Sequence, residues 1–186
     1  MGRIAVLSCF HYAWIESSRA MGENLAYAIG HGTEMHVHTP VDKKGLLACL
    51  NGANYAIIHT HGAPDRLIDQ REDNSQKLIT TVSGVKEFPE FPSLRLIIMT
   101  ACSTAGGEND KNIACELSKH IAKGGLVIAN RHVVYGANYD FGEKNGKLGW
   151  VAYRNGNLVL TEDKFPAYIT MADGYNTFLN YRKKLV

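Results

Sequence analysis

The sequence has little excess charge of either sign and no long apolar run. Its 20 Lys and Arg residues nearly balance 18 Asp and Glu residues, leaving a formal net charge of +2. That balance provides no sequence-wide basic field, so neither nucleic acid nor an anionic membrane is an expected partner. Apolar runs such as residues 4–7 and 96–99 fall far short of the roughly 20 residues that a membrane-crossing helix requires. We therefore expect a soluble chain.

Cysteine is scarce and is not arranged in pairs. The four cysteines form no CxxC motif and are too few for a disulfide-stapled secreted fold. Strand-like residues follow the first three positions directly, without the hydrophobic region and cleavage site of an export signal. These features predict free thiols and a cytoplasmic protein. With 186 residues and 45% apolar composition, one domain spanning residues 1–186 accounts for the chain.

Short β-rich runs alternate with helical periodicity, which predicts a mainly parallel sheet with helices on both faces. An outer strand is expected at residues 34–38, and the continuous apolar run 94–100 is the best candidate for a central strand. Polar residues dominate 63–86, which predicts a long loop with a hairpin near 78–82. The remaining expected strands and helices are strands 3–8, 55–59 and 126–130, helices 14–29 and 43–50, and a helix through Ile113, Leu117 and Ile121 capped by Asn109 or Asp110.

The last forty or so residues have a different pattern from the rest of the chain. Two β-rich runs, 148–153 and 158–160, flank Asn155 and Gly156, and an Asn-Gly pair in that position is a strong hairpin signal. An amphipathic helix follows from Met171, although Gly174 weakens its helical propensity. The sequence therefore predicts a hairpin and a closing helix appended to the parallel sheet.

Two polar side chains that suit nucleophilic catalysis follow apolar runs. His61 comes shortly after the strand at 55–59, and Cys102 follows the strand at 94–100. In open α/β sheets, ligands bind beyond the carboxyl ends of the strands. If the two strands are neighbours, an imidazole and a thiol emerge side by side at one edge of the sheet, which supplies a base next to a nucleophile.

The chemistry of acyl transfer explains why these residue types would be paired. A thiolate attacks a carbonyl carbon, and a nearby imidazole can take the thiol proton and return it to a departing amine. Gly62 lacks a Cβ, so its backbone N–H can approach the reacting carbonyl closely. The backbone N–H of Cys102 is the candidate for the second donor to the oxyanion.

The blocks IIHTHG at 57–62, LIIMTACSTAGG at 96–107 and GGLVIAN at 124–130 resemble those of the caspase-like cysteine peptidases, most nearly the CHAT branch. The resemblance implies a three-layer α/β/α sandwich and a cysteine endopeptidase that hydrolyses peptide bonds through a thioester. It implies His61 as general base and acid and Cys102 as nucleophile, with backbone groups of Gly62 and Cys102 on the oxyanion. A protein or peptide is the implied substrate, no metal or organic cofactor is needed, and regulation by a protein partner is left open.

Several residues are candidates for substrate binding. Family members that cut after Lys or Arg carry an acidic residue two places before the catalytic cysteine, where this chain has Thr100. A negative charge for a basic substrate side chain would then come from another segment. The candidates are Asp65, Asp69, Asp140 and Glu143. Cys9 follows the first strand and is a candidate for lining the same edge.

Other readings of the same residues remain open. His59 with His61, and His36 with His38, form two HxH pairs whose alternate residues share a strand face, which suits a metal-dependent hydrolase. The HxHxDH pattern of metallohydrolases is absent, however. His31 and Gly32 form a second His-Gly pair. This pair follows a helix rather than an apolar strand, so we interpret it as part of a turn. A catalytically inactive member of the same fold that serves as a protein-interaction module is the alternative outside enzymology.

Overall fold

The computed structural model of the chain describes residues 2–9, 11–39, 42–107, 111–132, 135–137, 140–142, 149–165 and 168–184. In chain order these residues form the following elements: β1 Gly2–Ser8, α1 Tyr12–Ile29, β2 Thr33–His38, α2 Lys43–Leu50, β3 Tyr55–His59, β4 His61–Ala63, β5 Arg66–Gln70, β6 Gln76–Thr81, α3 Val82–Val85, β7 Leu96–Met99, α4 Ile113–Leu117, β8 Leu126–Asn130, β9 Tyr135–Ala137, β10 Asp140–Gly142, β11 Trp150–Arg154, β12 Asn157–Leu160, β13 Tyr168–Thr170 and α5 Met171–Lys183.

A seven-stranded sheet with the order β12-β11-β8-β7-β3-β1-β2 forms the centre of the fold. Strands β2, β1, β3, β7 and β8 are parallel to one another, whereas β11 pairs antiparallel with β8 and β12 pairs antiparallel with β11. The prediction of a mainly parallel sheet with an appended hairpin is therefore confirmed. Strand β7 occupies the middle of the sheet and β2 its edge, as their apolar and mixed sequences indicated.

Helices cover both faces of the sheet because successive side chains of each strand point to opposite sides. On one face, Ile57 and Ile98 belong to a buried cluster with Met21 of α1 and Phe178 of α5. On the other face the buried cluster contains side chains of β3, β7, α2 and α4, namely Ile58, Met99, Leu46, Leu50, Ile113 and Leu117. The central strands are thus enclosed on both sides. None of the described helices has the length and apolar character needed to cross a membrane.

The prediction of a long loop at residues 63–86 is wrong. Strands β4, β5 and β6 form a separate antiparallel sheet in that order. Leu67 and Ile79 are buried in the main core, whereas most side chains around them are polar and more exposed. A register shift between Leu67 and Ile68 also interrupts the pairing. The apolar alternation is therefore too short and irregular to be recognised among polar residues.

The helix after the Cys102 turn is shorter than expected. It begins after Asn112, whose side-chain oxygen accepts a hydrogen bond of 2.8 Å from the backbone N–H of Cys115, and it ends at Leu117. Asn112 is therefore its N-cap residue, and the expected caps, Asn109 and Asp110, lie outside the described residues. The predicted apolar face of the helix included Ile121, which lies beyond the end of the helix. Apolar residues continue into the segment before β8, so the sequence pattern did not show where the helix ends.

The hairpin of β11 and β12 and the closing helix α5 match the sequence prediction. Asn155 and Gly156 have φ values of 47° and 75° between β11 and β12, which suits the left-handed turn of a tight hairpin. In α5, a Cβ on Gly174 would lie 2.7 Å from Cδ1 of Ile98. The glycine that weakens the helix by propensity therefore allows α5 to approach the sheet closely.

Candidate active site

The ends of β3 and β7 form one rim, beyond the carboxyl edge of the parallel strands. These strands are neighbours in register, with Ile58 opposite Met99. The backbone N–H of Thr100 donates a hydrogen bond of 3.0 Å to the carbonyl of Ile58, so the pairing continues one residue beyond β7. Strands β3 and β7 are therefore neighbours, as the prediction of the site required. The polypeptide leaves the sheet at the same place after each of them.

Gly62 of β4 packs directly against the turn that carries Cys102. A Cβ built on Gly62 would lie 2.7 Å from Cγ2 of Thr104, 2.9 Å from Cβ of Ala101 and 3.0 Å from the carbonyl oxygen of Cys102. Real Cβ atoms do not approach other atoms so closely without displacing them. Only glycine allows β4 and the turn to meet in this way, and the meeting places the residue after His61 against the backbone of Cys102.

The turn after β7 is held by hydrogen bonds to the end of β8. The backbone N–H of Ser103 donates to the carbonyl of His132 at 2.8 Å, and that of Ala105 donates to the carbonyl of Asn130 at 3.0 Å. Ser103 has a φ of 54°, a left-handed conformation that is uncommon for a residue with a Cβ. Such a conformation persists only where its surroundings impose it. Adjacent strands therefore fix the backbone immediately after Cys102.

Cys102 differs from the other cysteines in its exposure. All four cysteines lie among the described residues, and Cys102 is partly exposed whereas Cys9, Cys49 and Cys115 are buried. Burial raises the pKa of Cys9 to about 11 and that of Cys49 to about 12, which keeps both as inert thiols. A nucleophile must reach its substrate, so the exposed fraction singles out Cys102 among the thiols.

The ring of His61 contacts two side chains that the sequence analysis did not select. Oε1 of Gln70 can only accept, so it receives a hydrogen bond from Nε2 of His61. The ring of Trp14 lies 4.7 Å from that of His61, measured between centroids, and is tilted by 52°. Trp14 lies in the first turn of α1, directly after β1, so its place beyond a parallel strand was a usable signal. Nothing in the sequence pointed to Gln70, because β5 was not expected.

His59 supports the rim from below. Its ring stacks on Trp14 with centroids 4.5 Å apart, and its Nδ1 lies 2.8 Å from Oγ of Ser18. Burial, followed by the charge of His61, lowers the pKa of His59 to about 3. His59 is therefore neutral near pH 7, and it packs on Trp14, which also contacts the ring of His61.

Of the residues predicted to bind substrate, two are buried. Cys9 is 0% exposed and Thr100 is 4% exposed, so the structure does not support contact between either side chain and a substrate. Cys9 lies beneath the β4–β5 hairpin, where its Sγ accepts a hydrogen bond of 3.3 Å from the backbone N–H of Gln70. Both side chains lie beneath the rim, because β1 and β7 end below the strands β4 and β5.

The acidic candidates differ in their surroundings. Asp65 is exposed and is held by Arg66 through hydrogen bonds of 2.9 and 2.8 Å, and these hold the pKa of Asp65 below its usual value. Asp69 is buried, with an ion-pair distance of 3.8 Å to Arg71. Asp140 begins β10, but its side chain lies outside what the structure describes, as does the whole of Glu143.

The HxH pairs are not brought together. His36 and His38 lie on β2, whereas His59 ends β3, and β1 separates the two strands. Within the described ranges, no group of three or more His, Cys, Asp and Glu side chains is placed to hold a metal ion.

Two cavities lie at the opposite end of the sheet from the rim. They have volumes of about 510 and 520 Å³, and both are lined by Glu90, Ile121, Lys123 and Gly124. Lys123 and Gly124 precede β8, so these cavities lie near the amino ends of the parallel strands. Neither includes His61 or Cys102 in its lining.

Comparison with known proteins leaves the family open. No family model matches the chain, and no curated protein matches it. A solved structure described as "Structure of Protease" shares 16% sequence identity with a TM-score of 0.46, and the alignment covers 70% of this chain and 29% of that one. At that identity and TM-score, the likeness supports neither a fold family nor an activity for this chain. The resemblance to caspase-like peptidases therefore stays a prediction from the sequence motifs.

Proposed function

We propose that this chain is a cysteine endopeptidase of the caspase-like type, with Cys102 as nucleophile and His61 as general base. The observation that carries the proposal is the contact between Gly62 and the Cys102 turn, in which a Cβ on Gly62 would lie 3.0 Å from the Cys102 carbonyl oxygen. That contact joins two sequence-distant motifs at the carboxyl edge of the sheet, where α/β proteins bind ligands. No metal or organic cofactor is required by this chemistry.

The reaction follows from the chemistry of the two side chains. Sγ of Cys102 attacks the carbonyl carbon of the scissile peptide while the ring of His61 takes the thiol proton. The carbonyl oxygen becomes an oxyanion, for which backbone N–H groups of Gly62 and Cys102 are the proposed donors. The C–N bond then breaks, and His61 delivers its proton to the departing amine. Water hydrolyses the thioester by the same route and releases the carboxylate product and the free thiol.

Three features of the rim favour this function over a structural role for the same residues. Cys102 is the partly exposed cysteine, and the hydrogen bond from Ser103 to His132 holds the turn that carries it. His61 is held by Gln70 and Trp14 rather than by a backbone carbonyl of its own strand. Reacting groups that a rigid sheet already holds in place lose less conformational freedom on reaching the transition state.

A peptide-library digest that compares the native chain with Cys102→Ala tests the proposal. We expect cleavage by the native chain and none by the variant, while the buried-thiol variant Cys49→Ala, assayed below its unfolding temperature, keeps the native cleavage pattern. Identical digests from the native chain and Cys102→Ala would exclude the peptidase. Loss of cleavage on chelation would instead favour the metal-dependent alternative, and no turnover from any preparation would favour the inactive interaction module.

Alkylation of the native protein gives a second test that needs no substrate. Brief treatment with iodoacetamide, followed by peptide mass spectrometry, should modify Cys102 well before the three buried cysteines. The rate at Cys102 should fall in His61→Gln, since a nearby imidazole promotes thiolate formation. An equal rate in the two proteins would show that His61 does not act on this thiol.

A further inference from the structure

Gln70 ends strand β5, and its side chain meets the ring of His61. We propose that Gln70 is a positioning residue that holds the His61 ring with a proton on Nε2, so that Nδ1 exchanges the proton with Cys102. This inference rests on the proposed peptidase function and adds to it the group that orients the base. Gln70 touches neither the thiol nor the reacting carbonyl in this scheme.

The orientation of the Gln70 amide carries the argument. Its Nε2 donates a hydrogen bond of 3.1 Å to Oδ1 of Asn74, which turns Oε1 toward His61. An amide oxygen has no proton to give, so the ring nitrogen that meets it must be the donor. A neutral imidazole carries one ring proton, and with that proton on Nε2 the unshared pair is on Nδ1.

Gln70 is itself held from two sides. Its backbone N–H donates to the buried Sγ of Cys9 at 3.3 Å, directly after strand β1. Asn74, which receives the side-chain amide, has a φ of 62°, and its own N–H donates to the carbonyl of Arg71 at 2.9 Å. The turn between β5 and β6 therefore fixes the acceptor, and the core fixes the backbone that carries the amide.

The proton balance of the reaction is satisfied by this tautomer. As Sγ of Cys102 bonds to the carbonyl carbon, its proton moves to Nδ1 of His61, which makes the ring a cation with protons on both nitrogens. Oε1 of Gln70 continues to accept from Nε2 in that state and stabilises it without adding charge. When the C–N bond breaks, the proton on Nδ1 passes to the amine, and the ring returns to the tautomer that Gln70 favours.

Trp14 also limits the rotation of the His61 ring. Its indole stacks on His59 and lies tilted against His61, with centroid distances of 4.5 and 4.7 Å. The tilted indole of Trp14 and the hydrogen bond to Gln70 together restrict how the His61 ring can turn. Gln70 therefore selects the tautomer, whereas Trp14 restricts rotation.

Two substitutions at Gln70 test the inference, with Gln76 as the matched control. Gln76 lies opposite Gln70 in the β5–β6 pairing and is exposed, so Gln76→Leu makes the same chemical change in the same hairpin. We expect Gln70→Leu to lower kcat by about tenfold to a hundredfold while KM changes little, by analogy with the hydrogen-bond partners that orient histidine ligands in metal sites. Gln76→Leu should leave both constants near the native values.

The tautomer itself can be measured without turnover. Nitrogen-15 NMR of histidine-labelled protein, with the His61 signals assigned from their loss in His61→Asn, should show a protonated Nε2 in the native chain and a mixture of tautomers in Gln70→Leu. Gln70→Glu keeps an acceptor of similar size but adds charge. It should move the acid limb of the kcat/KM profile to higher pH, because a carboxylate stabilises the charged ring.

The outcomes separate this inference from the proposed function. Normal turnover with an unchanged tautomer in Gln70→Leu would overturn the inference and leave the peptidase intact. If that variant fails to fold, Gln70→Glu decides, and an acid limb at the native pH would overturn the inference. Absence of Cys102-dependent turnover in the native chain would overturn the proposed function, and the positioning role of Gln70 with it.

Discussion

Replacing Gly62 with alanine tests the contact that joins β4 to the Cys102 turn. The new Cβ would lie 2.7 Å from Cγ2 of Thr104, 2.9 Å from Cβ of Ala101 and 3.0 Å from the Cys102 carbonyl oxygen. Two of these neighbours belong to the backbone or lie one bond from it, so the turn or β4 must move. Overpacking of this kind costs about 1–3 kcal/mol. The lower entropy of the unfolded alanine chain offsets about 0.4–1 kcal/mol, so we expect a net loss of roughly 1–2 kcal/mol in unfolding free energy.

Activity should fall by more than stability alone would predict. His61 is the neighbour of Gly62 in the chain, so a shift that relieves the contact also moves the base relative to Cys102. A displacement of about 1 Å between reacting groups lowers rates on the order of a hundredfold. Urea unfolding measures the stability, and peptide cleavage together with Cys102 alkylation, both below the unfolding transition, measures the site.

Two further variants control this prediction. A Cβ on Gly2 would meet nothing nearer than Cε2 of Tyr55 at 3.5 Å, so Gly2→Ala should stay within about 0.5 kcal/mol of the native protein. Adding Thr104→Ser to Gly62→Ala removes the nearest atom, Cγ2, and keeps the hydroxyl that donates to Ala101 at 3.1 Å. We expect a partial recovery. If Gly62→Ala matches Gly2→Ala in both stability and activity, the packing of β4 against the turn is refuted.

Two more predictions concern buried polar groups. The pKa of His59 falls from 6.5 to about 3 on folding, mainly through burial. Neutral His59 therefore makes its full contribution to the unfolding free energy above about pH 6.5. As the pH falls, that contribution is lost by about 1.4 kcal/mol per pH unit. Urea unfolding of the native chain and His59→Gln at pH values from about 6.5 to 4.5 should diverge by roughly 2 kcal/mol, and parallel curves would contradict the burial. Asn112 caps α4 and donates to the hydroxyl of Tyr153 at 3.0 Å and the carbonyl of Ala105 at 3.3 Å. Asn112→Ala should lose about 2 kcal/mol by thermal or urea unfolding, and Asn112→Ser less, because serine can keep the cap without burying a charge; equal losses would show that the cap contributes nothing.

The parallel sheet was predictable because its sequence signals are local. The runs that became β3, β7 and β8 are almost entirely apolar, as is typical of strands covered on both faces. The Asn155–Gly156 turn adopts the left-handed conformations that its residue types favour. Each of these elements is selected by the residues inside it, so its approximate bounds follow from the sequence.

The small sheet of β4, β5 and β6 was not predictable in the same way. Its strands are short, and β5 carries Asp69 on the same face as the buried Leu67, so hydrophobic alternation is broken within five residues. Its place is determined by packing against the main core. The residue that meets His61, Gln70, belongs to this sheet, and it could not be selected before the sheet was known.

Two candidates for the site proved to be buried. Cys9 was named because it follows the first strand, and Thr100 because the resemblance places a substrate-binding residue at its position. Position at a strand end indicates an edge of the sheet but not whether later segments cover it. Here the strands that carry His61 and Gln70 fold over the end of β1. Exposure depends on chain segments far away in sequence, which no local pattern reports.

The sequence by itself determined the strands of the parallel sheet, the closing hairpin and helix, the burial of the central strands and the two motifs that carry His61 and Cys102, because hydrophobic periodicity and turn chemistry act over a few neighbouring residues. Only the tertiary structure decided that β3 lies beside β7, that Gly62 packs on the Cys102 turn and that Gln70 and Trp14 hold the histidine ring. These contacts join residues from separate elements, and their geometry is set by the packing of the whole core rather than by any segment within it.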